Sequence, residues 1–165
     1  MVLLYVMALG FVGWYLTRHI TSFVTEFAQL LAHAERRGVL GSYLSGRSSV
    51  AGDYEGRAVT MEFQRADEYT VGYVVVAMKV NAPDQLIVQA RLPSAEPDRD
   101  LEKALFALEA RHELRVDVEN GWLRARWEPA GFFIFPGRFD RARWIDVLTN
   151  MSVTASSLER RNSEC

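Results

Sequence analysis

The sequence predicts an α+β fold, in which a long N-terminal helix is followed by an antiparallel sheet with two helices packed on one face. Three patterns predict it: an apolar run over residues 1–17, alternating apolar residues in the middle of the chain, and helical spacing near its end. The chain has 165 residues, 49% of them apolar, and a formal net charge of -2. This composition is typical of one folded domain and does not favour nucleic acid as a partner.

The first element is predicted to be a membrane anchor over residues 1–17, which contain no Asp, Glu, Lys, Arg or His. As a helix this run measures roughly 25 Å, close to the thickness of the hydrocarbon core of a bilayer. Aromatic rings lie near both of its ends, as in membrane-interface belts. The residues expected to contact lipid are Leu3, Leu4, Tyr5, Phe11, Trp14, Tyr15 and Leu16.

Two other interpretations of this run stay open. A cleaved signal peptide is disfavoured, because nothing basic precedes Leu3 and bulky residues follow the apolar stretch. A soluble helix buried in a homo-oligomer is the main alternative. If the run is an anchor, Arg18, Arg36 and Arg37 on its C-terminal side predict a domain in the cytoplasm, at the bacterial inner membrane.

Residues 18–37 are predicted to continue as an amphipathic helix that ends at Arg37, with Gly38 as its C-cap. The Gly- and Ser-rich stretch 38–52 is predicted to be a hinge. An α+β domain is expected over residues 53–161, followed by a flexible tail at 162–165.

Strands are predicted where apolar residues alternate or run continuously. Val59, Met61 and Phe63 alternate with polar residues, which indicates a half-buried strand. The run "VGYVVVAMKV" is typical of a central strand, and "QLIVQARL" is expected to return antiparallel to it. A further short strand is expected at "GFFIF".

The remaining elements are predicted from capping and turn residues. Asp98 is a suitable N-cap for a helix over residues 99–111. Asn120 and Gly121 separate two alternating runs, a pair typical of a type I′ hairpin turn. The last helix is expected over residues 140–160, since apolar residues repeat there at helical spacing. They are Trp144, Leu148, Met151, Ala155 and Leu158.

No catalytic motif is recognisable in the sequence. There is no nucleophile elbow, P-loop or dinucleotide fingerprint, and the three histidines are not at metal-ligand spacing from other ligands. We therefore expect no catalytic residue, no cofactor and no metal. An enzyme without a motif stays a second alternative, which a cavity lined by polar groups with shifted pKa values would favour.

One stretch, residues 122–144, is unusually rich in aromatic residues and arginine. The simplest interpretation is a hairpin and helix start with core aromatics and solvated arginines. Two others are contact with lipid headgroups and a protein interface. The candidate interface residues are Arg124, Arg126, Phe132, Phe133, Phe135, Arg138 and Arg141, with Arg57 as an exposed contact beside a turn.

A short motif resembles a pattern found in bacterial membrane-anchored proteins of no assigned activity. Its residues here are Val50, Gly52, Tyr54, Gly56, Arg57 and Val59. The resemblance carries no activity, and no function is inferred from it. The apolar run and the domain that follows it predict an interaction or accessory module, a small subunit of a membrane complex that contacts the bilayer and a protein partner or a second copy of itself.

Overall fold

The described residues form a six-stranded antiparallel sheet and three helices, which confirms the α+β class. The computed structural model describes residues 2–37, 47–64, 73–82, 98–127 and 139–164. The strands are β1 (Ala32–Arg37), β2 (Arg47–Tyr54), β3 (Arg57–Gln64), β4 (Tyr73–Lys79), β5 (Leu114–Glu119) and β6 (Trp122–Trp127), in the order β1-β2-β3-β4-β6-β5. The helices are α1 (Val2–Ala28), α2 (Arg99–Phe106), extended by a π-helical turn at Ala107–Arg111, and α3 (Arg141–Glu164).

The two predicted inner strands are confirmed. β3 buries Val59, Met61 and Phe63 on one face, while Glu62 between them is exposed. β4 is buried almost throughout and pairs with β3 on one side and β6 on the other, as its continuous apolar run predicts. The sheet therefore has a buried face in its centre that the helices cover.

Two tight hairpin turns lie at the same end of this sheet. Asn120 and Gly121 have φ values of 54° and 74°, as expected for the predicted type I′ turn. Glu55 and Gly56, between β2 and β3, have φ values of 50° and 76° and form a second turn of this kind. The second residue of each turn is glycine, which adopts positive φ without steric cost.

The core between the helices and the sheet contains a cluster of aromatic rings. The Trp144 ring of α3 lies 5.6 Å from the rings of Phe23 and Phe27 in α1 and 6.2 Å from Trp127 in β6. Phe23 also contacts Phe63 of β3 at 5.3 Å. All these pairs are edge-to-face, the arrangement that aromatic quadrupoles prefer. This cluster fixes α1 and α3 on one face of the sheet.

Helices α2 and α3 agree with the sequence predictions. The Asp98 carboxylate accepts hydrogen bonds from the backbone N–H groups of Asp100 and Leu101, so it caps α2. Asp140 accepts from the backbone N–H of Arg143 and caps α3 in the same way. The whole predicted apolar stripe of α3, from Trp144 to Leu158, is buried.

The predicted helix over 18–37 is wrong beyond Ala28. α1 ends there, and Ala32–Arg37 forms strand β1, which pairs with β2 at the edge of the sheet. The side chains of residues 32–36 are exposed, so an apolar pattern does not determine their conformation. Backbone hydrogen bonds to β2 determine it instead, and these depend on a strand that follows later in the chain.

Two other predicted boundaries also change. The predicted hinge is wrong from residue 47 on, because Arg47–Tyr54 forms β2 and pairs along its length with β3. The predicted tail is wrong at 162–164, because α3 continues to Glu164. Gly38 and the strands expected at "QLIVQARL" and "GFFIF" lie outside the described residues.

The molecule has two distinct ends along the strand direction. We call the turn end the one with the hairpin turns at residues 55–56 and 120–121. We call the aromatic end the opposite one, where β3 finishes at Phe63 and Gln64, β6 finishes at Trp127 and α3 begins. Both α1 and α3 run from the aromatic end toward the turn end, since Phe23 and Trp144 lie beside Phe63 and Trp127, and Leu31 lies beside Gly52.

Candidate functional site

The N-terminal part of α1 exposes a continuous apolar face. Val6, Met7, Phe11 and Trp14 are 59%, 65%, 63% and 54% exposed. With Gly10, where an added Cβ would meet nothing within 4 Å, they cover about 140° of the helix circumference. The described residues of the chain do not cover this face.

The Arg18 guanidinium lies at the end of this apolar face that is nearest the sheet. The Arg18 guanidinium lies 5.4 Å from the centre of the Trp14 ring, and the Phe11 ring lies 5.9 Å from the same indole. Among the described residues, no helix is long and apolar enough to cross a membrane. The side chains of the other predicted anchor residues lie outside the description, although their backbone is helical: Leu3, Leu4, Tyr5, Tyr15 and Leu16.

The predicted arginine and aromatic interface is only partly described. Arg124 points away from the helices and pairs with Glu119 of the neighbouring strand. Arg126 lies near the aromatic end, with its guanidinium 4.4 Å from the centre of the Tyr73 ring. Arg141 is exposed at the start of α3. Phe132, Phe133, Phe135 and Arg138 lie outside the described residues.

Arg57 was expected to be exposed, and this is wrong: its side chain is 21% exposed and is bound to α3. Its two terminal nitrogens donate to the two carboxylate oxygens of Glu159 at 2.8 and 2.7 Å, and one also donates to Ser156 at 3.1 Å. The backbone N–H of Asn81 donates to the same carboxylate at 2.9 Å. The pair joins β3, the end of β4 and α3 at the turn end.

An open groove of about 660 Å³ surrounds this ion pair, lined also by Lys79, Asn81 and Asn162. The hydrogen bond to Arg57 lowers the pKa of Glu159, and the bond to Glu159 raises the pKa of Arg57. Both shifts stabilise the charged forms. The two groups therefore form an ion pair that joins β3 to α3 within the groove.

Replacing Glu159 with glutamine should lower the free energy of unfolding by about 1 kcal/mol at neutral pH, the size expected of a partly exposed ion pair. The pKa of Glu159 is lower in the folded protein than its ordinary value of 4.5. Its stabilisation is therefore present above that value and is lost as the pH falls through the folded pKa. Urea unfolding of both proteins from pH 7 to pH 3 should show the difference shrinking with pH.

The exposed Glu102 supplies the control for this measurement. Glu102→Gln removes the same charge without breaking a described ion pair, so its effect should be within about 0.5 kcal/mol. A pH-independent difference for Glu159→Gln would contradict the assignment of the stabilisation to its carboxylate.

A second groove, of about 630 Å³, lies at the aromatic end beside the start of α3. The Nε2 atom of His112 is 2.6 Å from a carboxylate oxygen of Asp146, and Arg111 approaches the same oxygen at 3.5 Å. The Arg143 guanidinium donates to the backbone carbonyl of His112 at 2.7 Å and lies over the Trp127 ring at 4.8 Å.

The exposure of this histidine pair indicates a structural role. His112 is 7% exposed and Asp146 is 37% exposed, whereas a catalytic histidine must reach substrate while its carboxylate is the shielded partner. The pair therefore joins the end of the π-helical turn to α3. Across the described ranges, no group of three potential metal ligands is arranged to hold an ion.

The sequence contains no local signal that Glu159 and Asp146 are the partners of Arg57 and His112. Glu159 is 102 positions from Arg57, and Asp146 is 34 positions from His112. No local motif connects either pair, because each forms only when α3 packs on the sheet. The one usable signal is that Glu159 follows the buried Leu158 of the apolar stripe, which places it beside the helix face that meets the sheet.

Comparison with known proteins adds no relative from which a role could be transferred. No protein-family model matches the chain, and neither does any curated protein or any solved structure.

Proposed function

We propose that this protein is a membrane-anchored interaction or accessory module, a small subunit of a membrane complex. The N-terminal part of α1 inserts in the bilayer, and the α+β domain stays in the cytoplasm beside a bacterial inner membrane. The observation that carries the proposal is the exposed apolar face of Val6, Met7, Phe11 and Trp14.

The apolar composition of this face favours contact with lipid. Moving a large apolar side chain from water to an apolar environment gains about 1.5–3 kcal/mol, and four such residues follow one another along the face. Trp14 and Arg18 lie at its inner boundary, where a ring suits the interface and a cation suits the headgroups. No charged residue interrupts positions 1–17.

The assignment to an accessory role, and not to an enzyme, has support from the polar groups. Within the described part of the chain, every buried side-chain nitrogen or oxygen has a hydrogen-bond partner. In the two grooves, Glu159 is engaged with Arg57, and Asp146 is engaged with His112 and Arg111. An anchored domain gains local concentration at the bilayer, which strengthens weak contacts with a partner.

A second candidate is a homo-oligomer in which this face packs against a second copy of α1. Gly10 lies on the face and has no atom near its Cβ position, so a second helix can approach closely there. In this case the domain needs no lipid.

Carbonate extraction of membranes from expressing cells separates the two candidates. We expect the protein to stay in the membrane pellet and to float with vesicles in a density gradient. A folded monomer in the carbonate supernatant would contradict both candidates. A defined oligomer in the supernatant, measured by light scattering, would favour the second.

Charged substitutions make the test specific to this face. The double variant Met7→Lys and Phe11→Lys should move the protein to the supernatant, because both residues lie near the middle of the apolar run and a lysine in the centre of a bilayer costs about 2.5–3.5 kcal/mol. Phe106→Lys is the matched control, since Phe106 is 70% exposed on α2 and away from α1. It should leave the protein in the pellet, and circular dichroism should confirm that both variants are folded.

A further inference from the structure

We infer that the aromatic end of the domain docks on the headgroups of anionic phospholipids, with its arginines on their phosphates. This inference rests on the proposed function, because it takes the N-terminal part of α1 to lie in the bilayer. It adds the orientation of the domain and the class of lipid that the domain contacts.

The direction of α1 determines which end faces the bilayer. Leu31, just after α1, lies against Gly52 near the turn end, whereas Phe23 contacts Phe63 and Phe139 at the aromatic end. The helix therefore leaves the domain past the aromatic end as it is followed toward its N-terminus. From Ile20 back to Val2 it rises about 27 Å, at 1.5 Å per residue.

Several of the described arginines lie at this end. Arg18 is on α1 just beyond the packed segment, Arg111 precedes β5, and Arg126 is near the end of β6. Arg141 and Arg143 are in the first turn of α3, whose N-terminus also carries the positive end of the helix dipole. Arg18, Arg111 and Arg141 are exposed. The guanidinium of arginine donates two hydrogen bonds to two oxygens of one phosphate, and its positive charge is attracted to an anionic membrane surface.

Some of the acidic residues at this end are engaged in the fold. Asp140 caps α3, and Asp146 binds His112 and Arg111. Two acidic residues at this end are exposed: Glu113 beside the groove, and Glu62, which lies level with Arg126 across β4. At the turn end, Asp53, Glu55 and Glu119 lie around the hairpins, and Arg57 is paired with Glu159. Arg160 and Arg161 also lie toward this end, in the last turns of α3.

Aromatic rings accompany the arginines at the end that faces the bilayer. Arg18 lies over Trp14, Arg126 over Tyr73 and Arg143 over Trp127. Tyrosine and tryptophan are enriched where an apolar region meets a wet one, which is the chemistry of a headgroup layer. The groove with Lys79 and the Arg57–Glu159 pair then points away from the membrane, toward the aqueous phase.

The test uses the full chain in vesicles of phosphatidylcholine, with and without phosphatidylglycerol. In a Cys165→Ser background, a fluorophore is attached at Ala142→Cys, at the aromatic end, or at Ser163→Cys, at the turn end. Both positions are exposed. Energy transfer to a headgroup-labelled lipid then reports which end lies near the membrane.

We expect strong transfer from position 142 in vesicles with phosphatidylglycerol, weaker transfer without it, and a decrease as salt is raised. Transfer from position 163 should be low in both. Each arginine near an anionic surface contributes about fivefold to docking, so Arg141→Glu should weaken it by a factor on the order of 25. Arg160→Glu, an exposed arginine near the other end of α3, is the matched control and should change nothing.

The outcomes distinguish this inference from the proposed function. If the protein floats with both kinds of vesicle but transfer from position 142 does not respond to phosphatidylglycerol, salt or Arg141→Glu, headgroup docking is overturned and the anchor stands. If transfer from position 163 exceeds that from 142, the orientation is reversed and the inference fails. If the protein does not float with either vesicle, both the anchor and the docking fail.

Discussion

Replacing Trp144 with alanine is expected to lower the free energy of unfolding by about 3–5 kcal/mol, the range for removing a large buried aromatic side chain. Trp144 is 3% exposed and touches the rings of Phe23, Phe27 and Trp127. No other described ring joins α1, α3 and β6 in this way. Since a domain of this size has a stability of about 5–15 kcal/mol, the loss is a large fraction of the total.

The cost has two physical parts. Folding of the parent protein removes the indole from water, and alanine has no such apolar surface to bury, so this transfer free energy is lost. The surrounding rings also lose their edge-to-face partner and are left around a cavity that the sheet and two helices cannot fully close. Alanine keeps the helical propensity of α3, so the change isolates packing from helix formation.

Thermal and urea unfolding of the purified full chain in detergent would measure the effect. The midpoint should fall by an amount on the order of 10 °C. Ile145→Ala is the matched control, because Ile145 is the next residue of the same helix and is 40% exposed. Its effect should be much smaller. Equal effects of the two substitutions would contradict the central position of Trp144 in the core.

Replacing Gly52 with alanine is expected to cost about 1–3 kcal/mol, and valine more, because both overfill a close backbone approach. A Cβ atom at this position would lie 2.8 Å from the Ala32 carbonyl oxygen and 2.9 Å from the Leu31 Cβ. The first of these is a backbone atom, so no side-chain rotation relieves the clash. The chain would have to move β1 away from β2 or displace the end of α1.

Hydrogen exchange on β1 would identify the structural consequence. Amides of residues 32–37 that pair with β2 should exchange faster in Gly52→Ala than in the parent protein. Gly10→Ala is the control, because nothing lies within 4 Å of its Cβ position and alanine favours a helix interior. Unchanged stability and unchanged β1 protection in Gly52→Ala would show that β1 does not pack as described.

The position of β1 also explains where sequence analysis failed. Leu30, Leu31 and Ala34 fit a helical repeat, and the prediction of a helix to Arg37 followed from them. Only Leu31 of the three is buried, and Ala34 is exposed on an edge strand. When side chains are not buried, the backbone partner decides the conformation, and that partner is β2, which pairs with β1 across the intervening chain.

Some of the predicted site residues could be assigned from local sequence, and others depend on a distant partner. Exposed Phe11 and Trp14 could be expected from an unbroken apolar run, because such a helix is apolar on every side and a domain packs against only one side of it. Arg57 could not be assigned correctly, because its partner Glu159 comes from an element 102 positions away. The sequence beside a turn does not indicate whether an arginine side chain is solvated or paired with a distant carboxylate.

The sequence by itself determined the elements whose cause is local: the hairpin turn at Asn120 and Gly121, the alternation of β3, the cap at Asp98 and the apolar stripe of α3. Each depends on φ preference, side-chain period or a hydrogen bond within a few residues. Only the tertiary structure decided the edge strand β1, the Arg57–Glu159 and His112–Asp146 pairs, and the end of the domain past which α1 leaves. These depend on which surfaces meet when the helices pack on the sheet, and no local energy term contains that information.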